Sequence, residues 1–276
     1  MSISVLILTL NEEENLPRCL ESVRWSDDVV VFDSFSTDTT CEIAAQFGAR
    51  VVKRRFDNYA NQRNVALNEV SYIYPWILMV DADERVSMEL SEEVIGCTDA
   101  ADNPISLYRM RRRDMFMGRW IKRSSGYPTW FGRLFRRGQV RVEREVNEEY
   151  HTDGKIGYLS EHLIHEPFGK GISFWFERHN RYSSMEAARL VQDRCRPIDW
   201  RGILSGDPAI RRKTLKQLAY RLPGRPGFVF AYLYFVRMGF LDGRAGLSFS
   251  LMRTCYEYMI DIKVKELRRR AQGLPV

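Results

Sequence analysis

The stretch Pro75–Ser87, PWILMVDADERVS, decides the fold. Five apolar residues, Trp76 to Val80, run straight into two carboxylates one residue apart, Asp81 and Asp83. A short, unbroken apolar run suits a strand covered on both faces. The acids past its end have two readings. They cap the next helix, or they hold a metal ion against an anion, because a hard divalent cation is usually held by one or two carboxylates plus substrate phosphates.

The residues upstream set the context. Ile3 to Leu8 is a second apolar run, and Asn11 is placed to cap a helix with Glu12, Glu13 and Glu14 in its first turn. Leu16, Cys19, Leu20 and Val23 form the buried stripe of that helix. Val29 to Asp33 reads as a strand, and Ser36 or Thr37 caps a helix carrying Ile43, Ala44 and Phe47. Gly48 stops it, Arg50 to Lys53 forms a third strand, and Asn58 or Tyr59 opens a helix through Val65, Ala66 and Leu67. Trp76 to Val80 is then the fourth strand of a βαβαβαβ series, which predicts a mostly parallel sheet with helices on both faces. Ligands of such sheets sit beyond the carboxyl ends of the strands, so Asp33, Asp81 and Asp83 share one rim. The turn after the first strand reads TLNEEEN, with no GxGxxG, and no GxxxxGK[ST] occurs. Both absences argue against a nicotinamide dehydrogenase and a P-loop nucleotidase.

At 276 residues, 45% hydrophobic and 28% charged, the chain has enough material for a sizeable core. Five scattered cysteines without CxxC spacing predict reduced thiols and no zinc site. The N-terminus lacks the basic region of a secretory signal. The net charge of +6 is uneven: residues 1–200 carry 27 basic and 31 acidic side chains, and residues 201–276 carry 15 and 5. Arg109 to Arg144 holds 12 basic and 2 acidic residues among aromatics and glycines, which predicts antiparallel ribbons at the ligand end of the sheet. Beyond Gly171 the spacing turns helical, with a basic helix from Pro208 to about Leu222 and an apolar, aromatic segment after it. Arg237 interrupts the longest apolar run, which falls short of the ~20 residues of a membrane span. The basic, aromatic tail reads either as helices lying in a membrane interface or as helices packed on the core.

Single residues keep two readings each. Asp33 accepts hydrogen bonds from a base or ribose, or anchors an Asx turn. Arg63, in NYANQRNVAL, meets a diphosphate or is a solvated helix arginine.

The segments SVLILTLNEEENLPRCLESV, DSFSTDTT, QRNVAL and ILMVDADERV, in that order, resemble the nucleotide-sugar half of the family 2 glycosyltransferases, with the GT-A fold. RLFRRG, VNEEY, HEPF, FERHNRYSSMEA and RMGFLDGRAGLSFSLM resemble the branch that adds sugars to bacterial lipopolysaccharide core, which includes β-1,4-glucosyltransferases. The resemblance implies an α/β, Rossmann-like GT-A domain over residues 1–170, with a donor half (1–100) and an acceptor half (101–170). A helical, membrane-associating extension over 171–276 completes it.

It further implies an inverting, metal-dependent hexosyltransferase moving a sugar from a nucleotide-sugar, a uridine-diphosphate sugar, to an anionic glycolipid hydroxyl. Thr9, Asn11, Glu13, Asp33, Arg63 and Asp81 fall on the donor side, with Asp33 at the uridine and Asp81 at the ribose or a metal-bound water. Asp83 is the direct ligand of Mg2+ or Mn2+. Glu148 is the general base, with Glu149 its neighbouring competitor; a surface acid is the plain reading of both. Arg133, Arg136, His165 and His179 are candidates for acceptor or phosphate contacts, His165 also for the metal. The implied location is peripheral, on the cytoplasmic face of the inner membrane, without nucleic acid as partner. Two departures stand out. The family usually has Gly where Phe35 stands and often where Thr39 stands, and if that Gly serves a positive-φ turn, Phe35 implies a different local backbone. The Gln-x-x-Arg-Trp signature and long spans of processive synthases are absent, which fits a single-addition transferase. The alternatives are a basic nucleic-acid-binding module using Tyr108, Trp120, Tyr127 and Trp130 to stack bases, and a glycosyltransferase acting on another lipid-linked or exopolysaccharide acceptor.

Overall fold

The computed structural model describes residues 3–99, 103–143, 149–193 and 224–276. Two compact units divide it: residues 1–120 with 127–170, and residues 121–126 with 171–276. The first unit carries the alternating strands and helices. β1 (Ile3–Thr9), β2 (Val29–Asp33), β3 (Arg50–Lys53) and β4 (Trp76–Asp81) alternate with α1 (Leu16–Ser22), α2 (Thr40–Gln46) and α3 (Tyr59–Asn68). β5 (Glu84–Val86), α4 (Met88–Thr98), β6 (Ile105–Phe116), β7 (Arg119–Trp120) and β8 (Trp130–Arg136) follow. A two-stranded ribbon of β9 (Arg141–Glu143) and β10 (Glu149–His151) precedes β11 (Lys155–His165).

The main sheet has the order β3-β2-β1-β4-β8-β6-β11-β5. The first four strands are parallel, as the sequence predicts. β8 runs against both β4 and β6, and β5 runs against β11. β6 and β11 pair in parallel, so the expected antiparallel ribbons are only part of this region. Side chains of β4 alternate between two cores: Leu78 and Val80 join α1 and α4 residues, whereas Ile77 and Met79 join Ala66 and Leu67 of α3. Asp81, two residues past Met79, continues toward the α3 side.

Local details depart from expectation at the first two helices. α1 begins at Leu16 with Asn15 as its cap, and the Asn15 and Leu16 N–H groups both donate to Glu12 O. Asn11 stands outside the helix with φ +54°. α2 starts after Thr39, not after Ser36 or Thr37, and Asp38 accepts the Thr40 N–H. At α3, Asn58 caps as expected by accepting the Asn61 N–H at 2.8 Å. Phe35 has φ +65°, so the positive-φ turn persists with a side chain in place. The inference that Phe35 changes the local backbone is therefore corrected.

The second unit holds α5 (Gly171–Asp193), α6 (Arg225–Ala231), a π-helical turn (Tyr232–Val236), a 3-10 turn (Gly239–Asp242) and α7 (Gly243–Ala271). α5 and α7 pack through Ala187, Ile260 and Val264. Arg225 is buried against Glu257 and Asp261, both at 3.1 Å. Asp242 Oδ2 receives the Arg123 and Ser124 N–H groups and the Ser124 hydroxyl. Among the described residues no helix is long and apolar enough to cross a membrane. The basic helix expected from Pro208 lies outside the described residues, as do Val146, Asn147 and Glu148.

Candidate active site

Two loops at the carboxyl ends of β1 and β2 are latched together by the polar residues singled out in the sequence. Thr9 Oγ1 donates to Asp33 Oδ1 at 2.9 Å, and Asp33 Oδ2 accepts the Ser36 N–H at 2.8 Å. Asn11 Oδ1 accepts the Thr37 N–H at 2.7 Å, and Glu13 Oε2 accepts the Thr39 N–H at 3.1 Å and its hydroxyl at 2.8 Å. Asp33 is fully buried, with both carboxylate oxygens engaged. It therefore anchors the loop, the Asx-turn reading of this residue, and offers no exposed edge to a base.

The second group gathers past β4. The antiparallel pairing of β5 with β11 sets Glu84 opposite His165, and the parallel pairing of β11 with β6 sets His165 opposite Asp114. Glu84, His165 and Asp114 thus form one row across three strands. His165 Nδ1 lies 2.7 Å from Asp114 Oδ1, and its Nε2 lies 3.3 Å from Asp83 Oδ2. Burial alone would lower the imidazole pKa, but the neighbouring carboxylate of Asp83 raises it to about 9. Burial raises the carboxyls of Asp83 and Asp114, yet His165 holds both below the usual carboxylate range.

Asp81 meets different partners. Its Oδ2 is 2.6 Å from Arg133 Nη2, and its Oδ1 is 3.5 Å from Arg63 Nη2. Against the cost of burial, Arg133 and then Arg63 hold the Asp81 carboxyl well below the usual range. Glu84, wholly buried, accepts the Asp81 N–H at 3.0 Å through one oxygen and faces Arg133 at 2.7 Å through the other. Arg112 completes the group, 3.5 Å from Glu84 and 3.0 Å from Asp114. Four carboxylates therefore face three guanidiniums and one imidazole.

Arg63 also donates to the Tyr150 hydroxyl at 2.8 Å. Tyr150 stacks on Phe135 at 5.1 Å and lies against Gly132, where an added Cβ would come within 3.3 Å of its ring. The β9–β10 ribbon is thereby tied to the arginine that reaches Asp81.

Several expected site residues stand elsewhere. Arg133 is not a phosphate-facing cation; it is 3% exposed and serves as the internal counter-ion of Asp81 and Glu84. Arg136 lies over the Trp76 ring and donates to Asn103 O at 2.9 Å. Trp76 begins β4, so Arg136 is at the opposite end of the strand from Asp81. His179, in the second unit, stacks on Trp175 with centroids 3.5 Å apart and its Nδ1 2.8 Å from Trp175 O, and burial pushes its pKa down to about 4. Those are packing contacts. Sequence reasoning missed Glu84, Asp114 and Tyr150. Asp114 had a signal, being one of only two acids in the basic block.

A sequence model described as Glycosyl transferase family 2 matches residues 4–158. An uncharacterized glycosyltransferase of Rickettsia typhi is 26% identical over 285 residues, covering 99% of this chain and 89% of that protein. The lipopolysaccharide core biosynthesis glycosyltransferase LpsC of Rhizobium meliloti is 30% identical over 206 residues, 71% of this chain and 74% of that protein. Among solved structures, S. aureus TarS (residues 1–349) overlaps 98% of this chain and 92% of its own at 14% identity and a TM-score of 0.45, too loose to bear on the site.

Proposed function

The chain belongs to glycosyl transferase family 2, and from that premise we propose that it carries out an inverting transfer from a uridine-diphosphate sugar to a hydroxyl of an anionic glycolipid. The observation that carries this reading is the convergence of Asp81, Asp83, Arg63, His165 and Asp114 at one end of the sheet. Among the described residues no three His, Cys, Asp or Glu side chains form a ready-made metal cage. Mg2+ or Mn2+ bridging protein and diphosphate needs no such cage, because one or two carboxylates and the phosphates suffice. The residues present fit that demand. Asp83 would hold the ion with His165 beside it, and Asp114 behind the ring fixes its orientation, as carboxylates do for metal-bound histidines.

When bound, the ion offsets the charge that grows on the leaving diphosphate. Arg63, whose guanidinium reaches Asp81 at the same end of the sheet, would add donors beside that charge. Thr9, Asn11, Glu13 and Asp33 hold the two loops that would flank the uridine. Glu148 would take the proton of the acceptor hydroxyl as it attacks the anomeric carbon. In the chain it stands two residues before Tyr150, which Arg63 holds. No covalent nucleophile is required, and alignment of donor and acceptor supplies much of the acceleration.

The similarity to LpsC, a lipopolysaccharide core biosynthesis glycosyltransferase, supports the glycolipid acceptor. In the second unit, Phe228, Tyr232, Phe235, Val236 and Leu241 are each more than half exposed beside Arg237. That composition supports peripheral docking on a membrane surface, for which we propose the cytoplasmic face.

Thermal shifts of the full chain with nucleotide-sugars, with and without Mn2+, test the reading. A rise with uridine-diphosphate sugars that needs Mn2+ and disappears in Asp83→Ala is expected. Glu148→Gln should keep that rise and lose turnover by about 10²–10⁴-fold. Absence of any nucleotide response in the wild type would refute the proposal.

A further inference from the structure

β6 carries two different arginine populations. Arg112 and Asp114 point to the site described above, where Arg112 has two carboxylate partners. Arg109, Arg111 and Arg113, at the alternate positions, form no ion pair with any described carboxylate. Their face follows from the register. Leu107 belongs to the α3-side core, and the cross-strand partners of Arg109 and Arg111 are Gly132 and Trp130 on β8 and Tyr158 and His162 on β11. Gly132 faces Leu107 and Tyr150, which confirms the side. This is the side toward which Asp81 turns to meet Arg63.

On that face aromatic rings and guanidiniums interleave in one continuous stack. Tyr158 meets Trp130 edge to face at 5.0 Å, and Arg111 lies over Trp130 at 4.9 Å and over Tyr127 at 5.9 Å. Tyr127 meets Trp120 at 5.1 Å, and Arg113 lies over Trp120 at 5.0 Å. The His162 ring, 2.8 Å from the Tyr127 hydroxyl, fixes that tyrosine. Arg111 donates to Ser160 O, and its Nε, like that of Arg113, is buried with no hydrogen-bond partner among the described residues. Trp130 is 38% and Tyr158 57% exposed. An arginine kept for structure has the partners that Arg112 has. Arg111 and Arg113 have aromatic faces where Arg112 has carboxylates at ion-pairing distance.

We propose that this stack is the acceptor platform: it binds an anionic, phosphate-bearing saccharide, with sugar rings lying on Trp130 and Tyr158 and phosphate groups held by Arg109, Arg111 and Arg113. Aromatic faces pack against the C–H face of a pyranose, and a guanidinium lying over a ring can still donate its remaining Nη–H groups to a phosphate. The assignment rests on the transferase reading, since it names the substrate class for the acceptor side of that site. β6 links the two sides, because Arg113 is the residue before Asp114 and strand residues advance by about 3.3 Å each.

The test measures binding to the full chain of a deacylated lipopolysaccharide core oligosaccharide that retains its phosphates, and of the same saccharide after dephosphorylation. Mn2+-dependent UDP binding is measured on the same samples. The phosphorylated form should bind at least tenfold more tightly than the dephosphorylated one. Trp130→Ala and Arg111→Ala should each weaken it at least tenfold and leave UDP binding unchanged. If Trp130→Ala loses UDP binding through misfolding, Tyr158→Ala, at the exposed rim, decides by the same criterion. Equal binding by the variants, indifference to the phosphates, or no binding by the wild type overturns the platform. So does single-stranded RNA bound in place of the saccharide and lost in the same variants. A wild type that binds the saccharide through these residues but no nucleotide refutes the transferase reading alone; one that binds UDP with Mn2+ but no saccharide refutes the platform alone.

Discussion

Glu84 Oε1 lies 2.7 Å from Arg133 Nη2, and both side chains are almost sealed from solvent. Removing one charge from such a pair leaves the other buried without compensation, a loss of about 3–5 kcal/mol. Glu84→Gln keeps an oxygen for the Asp81 N–H and removes only the charge facing Arg133 and Arg112. We expect it to lower the free energy of unfolding by about 3 kcal/mol, read by urea denaturation. A loss below about 1 kcal/mol would show that the pair contributes little.

Asp114 holds the His165 ring whose other nitrogen faces Asp83, so with the metal role proposed for Asp83, Asp114→Asn is expected to act on the metal and not on the nucleotide. Loss of such an orienting carboxylate typically weakens metal affinity by about 10–100-fold. Titrating Mn2+ at saturating UDP should show that shift in the metal midpoint. An unchanged midpoint would detach Asp114 from metal binding.

The strands before Asp81 were legible because each is a short apolar run between polar punctuation, and Asn58 was legible because capping is local. The first helix was misjudged at Asn11 because its partner, Thr37, is 26 residues away. Only the fold brings the loops together. Arg133 and Arg136 sit three residues apart in RLFRRG, and the direction of β8 alone decides which of them meets Asp81. Local spacing contains no information about that direction. Glu84 hid behind its neighbours, since Asp81 and Asp83 already satisfied the expected motif. Its row with His165 and Asp114 is a matter of register between strands.

Phe35 holds φ +65°, a conformation that costs a residue with a Cβ about 1–2 kcal/mol. Its ring is 48% exposed and lies 5.8 Å from the Arg55 guanidinium, a contact of about 0.5–1 kcal/mol. Phe35→Gly should therefore fold at least as stably as the wild type, and Phe35→Val, β-branched at positive φ, should fold less stably. Thermal melts of the three proteins decide it. A glycine variant less stable by more than about 1 kcal/mol would mean that the ring contributes more than it strains.

Asp28 is a buried acid away from the site. Burial raises its pKa, but the Ser4 hydroxyl at 2.5 Å, the Ile73 N–H at 2.8 Å and Arg50 at 3.0 Å leave it below the ordinary aspartate value. A folded-state pKa below the unfolded one stabilises the fold above the unfolded value, near pH 4. That contribution fades as pH falls through the folded value. Asp28→Asn should therefore cost about 1.5–3 kcal/mol at pH 7 and progressively less below about pH 4. Urea denaturation of both proteins at several pH values measures the difference. A gap constant with pH would rule out the charge as its source.

The two-sidedness of β6 divides the tolerable changes in this chain by kind. A substitution at Arg109, Arg111 or Arg113 alters one face and leaves Arg112 and Asp114 aimed where they are. A one-residue insertion or deletion within the strand exchanges the faces, sending the lone arginines among the acids and Asp114 among the aromatic rings. Point changes can thus retune what lies on the arginine face while frame changes are fatal to both. Changes in length are therefore expected to be tolerated only at the ends of the strand, and changes in chemistry at its alternate positions.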